Sequence, residues 1–334
     1  MTNRPTWNSS QRSWPPEPDP DLVAVVLAAG EGKRMKSSLV KVLHPLRGRP
    51  LVQHVLDAVR GAGASRVIVV VGVQAGLVEA RLRAGLEPCG VSTAPKEVEF
   101  VHQERPLGTA HAVLVTRPLL EEHRGDVLVV YGDTPLLDPG DLRVLVETRR
   151  RAGAALAFLT TYLADPTGYG RVIRDGTGRV AGIVEEADCT LEQRRVNEVN
   201  AGVYCFAAPR LWGALEQVGQ GNAQGEFYLT DAVKVLLSEG EAVVAVPVRP
   251  ERMVGINDRL ELARVELTLR RAHLEGIMRQ GVTVVDPASA FLDDRVEAEP
   301  DVVIGPGTVV EGQVRIRKGA SLGPLAIIRQ RDRR

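Results

Sequence analysis

The stretch DLVAVVLAAGEGKRM, Asp21 to Met35, sets an unbroken apolar run against a glycine-rich turn that ends in two cations. A continuous valine- and leucine-rich run fits a strand buried on both faces, the habit of a parallel sheet. The turn after it is neither common phosphate loop: it lacks the G-K-[ST] ending of a P-loop and the third glycine of the dinucleotide fingerprint. Small residues at Ala28, Ala29 and Gly30 would still let backbone approach a ligand at the strand's C-terminal edge. N–H groups from Gly30 to Gly32 could line an anion nest, and Arg34 and Lys41 could neutralise a triphosphate. Taken alone, the segment reads equally well as a plain strand-to-helix turn with surface cations.

Working outward, three more apolar runs follow: RVIVVVG (66–72), VEFVHQ (98–103) and DVLVVYGD (126–133). Helices are expected between them. Pro50–Gly61 carries Val52, Val55, Leu56 and Val59 on one face, with proline at a favoured first position; Gly108–Leu120 reads as another. Strand–helix alternation over residues 22–150 predicts an α/β fold, Rossmann-like and doubly wound. RVIRDGTGRVAGIVEEAD (171–188) then places Asp-Gly and Thr-Gly between valine-rich arms, a hairpin signal, and predicts an antiparallel insert over the sheet's active edge. Helices are expected near 209–217 and 226–239. A long one is expected over 258–279, with Leu260, Ala263, Leu267 and Leu274 on one face. Beyond it, Leu292, Ala298, Ile304, Val310, Ile316, Leu322 and Ile328 recur every sixth residue, with Gly305 and Gly323 directly after two of them. Ordinary β-alternation also contains a period of six, but seven positions in register favour a short hexapeptide β-helix.

Composition narrows the function classes. The 334 residues hold 42 Lys plus Arg and 42 Asp plus Glu, which argues against a bulk nucleic-acid binder or a polybasic membrane protein. The three cysteines, Cys89, Cys189 and Cys205, form no CxxC pair, as expected of a reducing, cytoplasmic compartment. Residues 1–20 are rich in proline and polar residues and lack an apolar core, so they read as a disordered tail rather than a signal peptide.

The second chemical signal is VLVVYGDTPLL (127–137). Asp133 follows a buried strand, where open α/β sheets bind ligands. A carboxylate there suits a magnesium ion carried on substrate phosphates. The competing reading is a helix cap at Asp133-Thr134-Pro135.

LAAGEGKRM (27–35), KVLHPLRGRPLVQHVLDA (41–58), QERPLGTAHAV (103–113) and VYGDTPLL (130–137) together resemble the sugar-nucleotide pyrophosphorylases. DPTGYGRVIRD (165–175), GIVEEAD (182–188), EVNAGVYCF (198–206), NAQGEFYLTD (222–231) and GINDRLELARVE (255–266) narrow the resemblance to the bacterial N-acetylglucosamine-1-phosphate uridyltransferases. It covers about residues 22–330. It implies a nucleotidyltransferase domain over 21–257, a linker helix over 258–280, and part of a left-handed β-helix over 281–334.

The resemblance also implies roles. Leu27, Ala28, Ala29 and Gly30 would contact the nucleotide through backbone, and Gln103 would read uracil with Gly108 and Thr109 closing on the base. Arg34 and Lys41 would hold phosphates, acting with Asp133 as the catalytic set. Asp133 and Asn257 would coordinate Mg2+. Tyr131, Gly132, Gly170, Glu185, Asn200 and Asn257 would surround the sugar. Singly, Gln103, Glu185 and Asn200 read as ordinary polar residues and Asn257 as a helix cap; only their joint occurrence argues otherwise. The implied reaction joins UTP and N-acetylglucosamine 1-phosphate to give UDP-N-acetylglucosamine and pyrophosphate. No nucleic acid or membrane partner is expected, and a homotrimer through the β-helix could form. A complete β-helix with its acetyltransferase site does not fit in the remaining residues, so no acetyltransfer is expected. Three positions depart from the family pattern: Lys33 for threonine, Val40 for proline and Ala201 for threonine. They keep two alternatives open, a related nucleotidyltransferase with other substrates and a catalytically weak sugar-nucleotide binder.

Overall fold

A computed structural model of the protein describes residues 17–30, 32–86 and 98–329. Most of the tail expected over 1–20 lies outside these, as does Cys89, and the first strand already begins at Asp19. The contacts separate into two units. One runs through Leu43 and resumes over Leu51–Ile256; the other combines His44–Pro50 with the chain from Asn257 onward.

The larger unit is built on one sheet. In chain order its elements are β1 (Asp19–Ala28), α1 (Leu51–Gly61), β4 (Ala64–Val71), α2 (Ala75–Leu86), β5 (Val98–His102), α3 (Thr109–Leu114), α4 (Arg117–Leu120), β6 (Asp126–Tyr131) and α5 (Pro139–Ala152). There follow β7 (Leu156–Tyr162), β8 (Arg171–Arg174), β9 (Val180–Val184), β10 (Glu198–Ala207), α6 (Ala208–Glu216), α7 (Asp231–Ser238) and β11 (Val243–Pro247). β2 (Pro45–Leu46) and β3 (Arg49–Pro50) form the hairpin assigned to the other unit. The strand order is β11-β7-β10-β6-β1-β4-β5, with the β8–β9 ribbon paired to β10. β1 is parallel to β4 and β6, and β10 is antiparallel to β6 and β7.

The continuous apolar run of β1 follows from this position at the sheet's centre. Leu22, Ala24, Val26 and Ala28 face one layer with α1 and α5; Val23, Val25 and Leu27 face the other, with α3, α6 and α7. Each fully buried valine or leucine contributes about 1.5–3 kcal/mol, so neither face tolerates a polar residue. The expected helix over Gly108–Leu120 is instead two short helices. Pro118 has no N–H for the Leu114 carbonyl and interrupts the ladder, and the Thr116 hydroxyl closes the break by donating to Val113 O at 2.7 Å. The helix expected from 226 begins only at Asp231. Phe227 spends its backbone sideways, donating to Leu107 O (2.8 Å) and accepting from Ala110 N (2.9 Å).

In the second unit, α8 (Arg259–Arg279) precedes β12 (Thr283–Val284), β13 (Phe291–Leu292), β14 (Glu297–Ala298), β15 (Val303–Ile304), β16 (Val309–Glu311), β17 (Arg315–Ile316), β18 (Ser321–Leu322) and β19 (Ile327–Arg329). These strands stack in three parallel sheets, β12-β15-β18, β13-β16-β19 and β14-β17. All seven residues of the six-residue repeat line the core of this β-helix. The α8 face differs from expectation. Leu274 is buried with Val265 and Ile277, whereas Leu260 and Leu267 are 59% and 56% exposed. The C-terminal turns of α8 lie on β12 and β13, and only there does the helix bury its stripe. Arg47, at the tip of the hairpin, is fully buried in the same unit. It reaches Asp294 (3.0 Å), the Leu292 carbonyl, Glu266 (3.4 Å) and the Phe291 ring.

Candidate active site

At the C-terminal edge of the larger unit's sheet, β1 ends at Ala28 and β6 at Tyr131, with Leu27 and Tyr131 side by side in register. Gly132 N donates to Leu27 O at 2.9 Å. The loops here approach one another too closely for side chains: a Cβ on Gly72 would sit 2.5 Å from the Ala29 carbonyl oxygen. Gly32 adopts φ +62°, and a Cβ there would meet Lys41 Cβ at 2.6 Å. It opens a single helical turn, Lys33–Met35, which buried Met35 anchors while Lys33 and Arg34 are exposed. Glu31 lies outside the described residues.

Lys41, in the short turn Lys41–Leu43, forms an ion pair with Asp133. Both side chains are mostly buried, 14% and 16% exposed, so neither charge is well screened. The helix-cap reading of Asp133 does not hold. α5 starts six residues later and is capped by Asp138, which accepts from Gly140 N at 2.8 Å. The Asp133 carbonyl is instead held by Ile256 N at 2.9 Å. Asn257, next in sequence, opens the second unit. It does not cap α8 either: Asp258 does so through Leu260 N and Glu261 N, and Asn257 N donates to Glu261 Oε2 at 2.6 Å.

The expected base-reading residues are brought together. Gln103 is buried, and its amide nitrogen donates to Gly108 O and to His111 Nδ1, both at 3.0 Å. A carbonyl can only accept, so the amide orientation is forced. Both amide hydrogens are committed, and only Oε1 is left to accept from a ligand. His111, which the sequence reading did not single out, must keep Nδ1 unprotonated for this contact, and burial lowers its pKa. Gly108 has φ +114°, and a Cβ would lie 2.5 Å from Phe227 O. Thr109 Oγ1 accepts from Leu229 N at 2.9 Å.

Three of the residues expected around a sugar also converge. Asn200 N donates to Gly170 O (2.8 Å), and a Gly170 Cβ would lie 3.2 Å from Glu185 Oε2. Glu185 Oε1 accepts from Thr230 Oγ1 at 2.9 Å, and burial raises its pKa despite that bond. Asn200 Nδ2 donates to the Tyr204 hydroxyl at 2.6 Å. The Tyr131 ring lies where a Gly202 side chain would be. Thr230 and Tyr204 were also missed. Their only signals were membership of the motifs NAQGEFYLTD and EVNAGVYCF, since a threonine before a helix and an aromatic in a strand are ordinary. The arrangement offers a cation–carboxylate pair at the strand edge, a base-sized acceptor on one side and a carboxylate–amide cluster on the other. Among the described residues no three acidic, histidine or cysteine side chains group to hold a metal. One carboxylate, Asp133, therefore suits an ion that keeps most of its ligands from phosphate and water.

The model for the MobA-like NTP transferase domain matches residues 24–235. The chain is 48% identical over 307 residues to the bifunctional protein GlmU of Anaeromyxobacter dehalogenans, covering 92% of this chain and 61% of that one. It is 41% identical over 304 residues to the bifunctional protein GlmU of Brevibacillus brevis, 91% of this chain and 63% of that one. It thus spans about three fifths of the length of these curated relatives. A solved UDP-glucose pyrophosphorylase complexed with UDP-glucose shares the fold at a TM-score of 0.59 and 17% identity, covering 74% of this chain and 97% of that one. A sheet that ends its central strands in the glycine-rich segment after Ala28 and in the Asp133 turn, matched by a family model over 24–235, makes this chain a member of the MobA-like NTP transferase domain family.

Proposed function

We propose that the chain is a uridylyltransferase that joins UTP and N-acetylglucosamine 1-phosphate, releasing pyrophosphate. The observation that carries the reading is the gathering of Gly170, Glu185 and Asn200 beside the strand edge where Lys41 and Asp133 pair. A sugar phosphate oxygen would attack the α-phosphorus in line. Both reactants are anions, so alignment and charge neutralisation supply most of the rate, and no protein nucleophile is needed. Leu27–Gly30 backbone would support the nucleotide, Gln103 Oε1 would accept from the uracil N3–H, and Arg34 would neutralise phosphate. Lys41 exchanges its Asp133 partner for phosphate when the nucleotide enters. Asp133 would then help to hold the magnesium ion, which supplies positive charge to the phosphates.

The test is pyrophosphate release by purified protein with magnesium, UTP and N-acetylglucosamine 1-phosphate, run beside other nucleotide and sugar-phosphate pairs. Release that prefers this pair and needs magnesium supports the reading. Preference for another pair, or no release from folded protein that binds UDP-N-acetylglucosamine, removes it.

A further inference from the structure

The β8–β9 ribbon carries a buried charge. Arg171 opens β8, and its side chain is only 1% exposed. A buried guanidinium forfeits its hydration, and one ion pair seldom returns more than well-packed apolar side chains would. Packing of the ribbon on β10 therefore does not call for an arginine here. Its hydrogen bonds go instead to two segments that flank residues expected around the sugar.

Arg171 follows Gly170 in sequence, and Glu186 follows Glu185. One terminal nitrogen of Arg171 donates to Glu186 Oε2 at 2.6 Å, and the other donates to the Tyr169 carbonyl. The same Glu186 oxygen accepts from Gly168 N at 3.2 Å. The 165–170 turn is thus tied to the single helical turn Glu186–Asp188, which begins directly after Glu185. Across the ribbon Arg171 stands opposite Val184, so the pair closes the ribbon at the end where Gly170 meets Glu185. There a Gly170 Cβ would lie 3.2 Å from Glu185 Oε2, tighter than ordinary van der Waals contact. Glu185 Oε1 is already committed to Thr230. The two adjacent glutamates also differ in charge state: burial raises the Glu185 pKa, and the Arg171 hydrogen bond lowers that of Glu186.

We propose that Arg171 and Glu186 are positioning residues whose ion pair holds the Gly170 backbone and the Glu185 carboxylate at the spacing that grips the sugar phosphate. This rests on the proposed uridylyltransferase reading and adds to it two residues that act through their neighbours. Gly170 O also accepts from Asn200 N at 2.8 Å, so the clamp carries on to the third residue of the sugar cluster.

The experiment compares wild type, Glu186→Ala, Glu186→Gln, Arg171→Lys, Glu185→Gln and the double variant Glu185→Gln/Glu186→Ala. Pyrophosphate release gives KM for each substrate, and calorimetry gives UTP and UDP-N-acetylglucosamine binding. Glu186→Ala should raise KM for the sugar phosphate about tenfold, the size of one lost hydrogen bond, and leave KM for UTP within about twofold. Arg171→Lys keeps the charge but loses the fork that spans Tyr169 O and Glu186, so it should shift the same constant in the same direction. Glu186→Gln keeps an acceptor for Arg171 and Gly168 N and should recover part of the loss; if Glu186→Ala melts too early to assay, it carries the comparison. The double variant should lose less than the product of its two single losses, because the clamp acts through Glu185. Unchanged sugar-phosphate KM in folded Glu186→Ala, equal rises for UTP, or a full product of losses in the double variant would overturn the inference and leave the uridylyltransferase reading standing. A wild type that neither releases pyrophosphate nor binds UDP-N-acetylglucosamine removes both.

Discussion

Asp133 and Lys41 form an ion pair at the strand edge. Asp133→Asn keeps the volume and removes the charge. Turnover should fall about 10²–10³-fold, as when one transition-state group is lost, and Tm should fall too, because the mostly buried Lys41 loses this partner; steady-state pyrophosphate release and a thermal melt check this. Glu185 behaves differently because burial raises its pKa. The native state then holds the Glu185 proton more tightly than the unfolded chain. Its contribution to stability is complete below the ordinary glutamate value and is lost as pH rises through the raised one. Glu185→Gln should therefore melt higher than wild type at pH 7 without ligand, with the gap closing toward pH 4. It should also raise the sugar-phosphate KM about 10–100-fold, the range for a hydrogen bond to a charged group. His111 gives a third test. Protonating Nδ1 would set a donor against the Gln103 amide nitrogen. Since burial lowers the His111 pKa, KM for UTP should rise only below the ordinary histidine range, and His111→Gln should abolish that step in the pH profile.

At the scale of elements, the site depends on loops that touch backbone to backbone. Gly108 opens α3 at φ +114° and lies against the backbone of Phe227. Gly108→Ala would demand a positive φ from a residue with a Cβ and would drive apart the 107–110 and 227–229 segments that hydrogen-bond there. A loss of about 1–3 kcal/mol in stability is expected for such strain, together with weaker UTP binding, read by a melt and by calorimetry. The same lacing explains why the sequence placed the start of α7 too early. Periodicity saw apolar residues from 226 onward, but Phe227 uses its backbone groups across the site instead of along a helix.

For the whole molecule, the separation into two units assigns the hairpin His44–Pro50 to the β-helix unit although it interrupts the segment leading from Lys41 to α1. Buried Arg47 anchors that hairpin to Asp294, Glu266 and the Leu292 carbonyl. Arg47→Ala leaves two carboxylates without their cation. Because these are 33% and 26% exposed, the cost should fall below that of a fully buried pair, about 1–3 kcal/mol. Hydrogen exchange should quicken over 283–329 while the β1 and β6 amides keep their protection.

The sequence by itself determined the layered α/β sheet, the hairpin insert and the β-helix. Each of these is written in local periodicity: continuous valine runs for β1, β4 and β6, Asp-Gly and Thr-Gly between β8 and β9, and an apolar residue every sixth position from Leu292. Motif resemblance added the site residues, and Gln103 with Gly108, and Gly170 with Glu185 and Asn200, do come together. Only the tertiary structure decided which partner each polar group takes. The amide direction of Gln103, the Lys41–Asp133 pair, the capping of α8 by Asp258 in place of Asn257, and the Tyr204 hydroxyl behind Asn200 all join residues by contact, not by spacing. The exposed Leu260 and Leu267 of α8 have the same origin. A helical stripe marks where burial could occur, but burial requires a second layer, and only the chain folded in three dimensions supplies one.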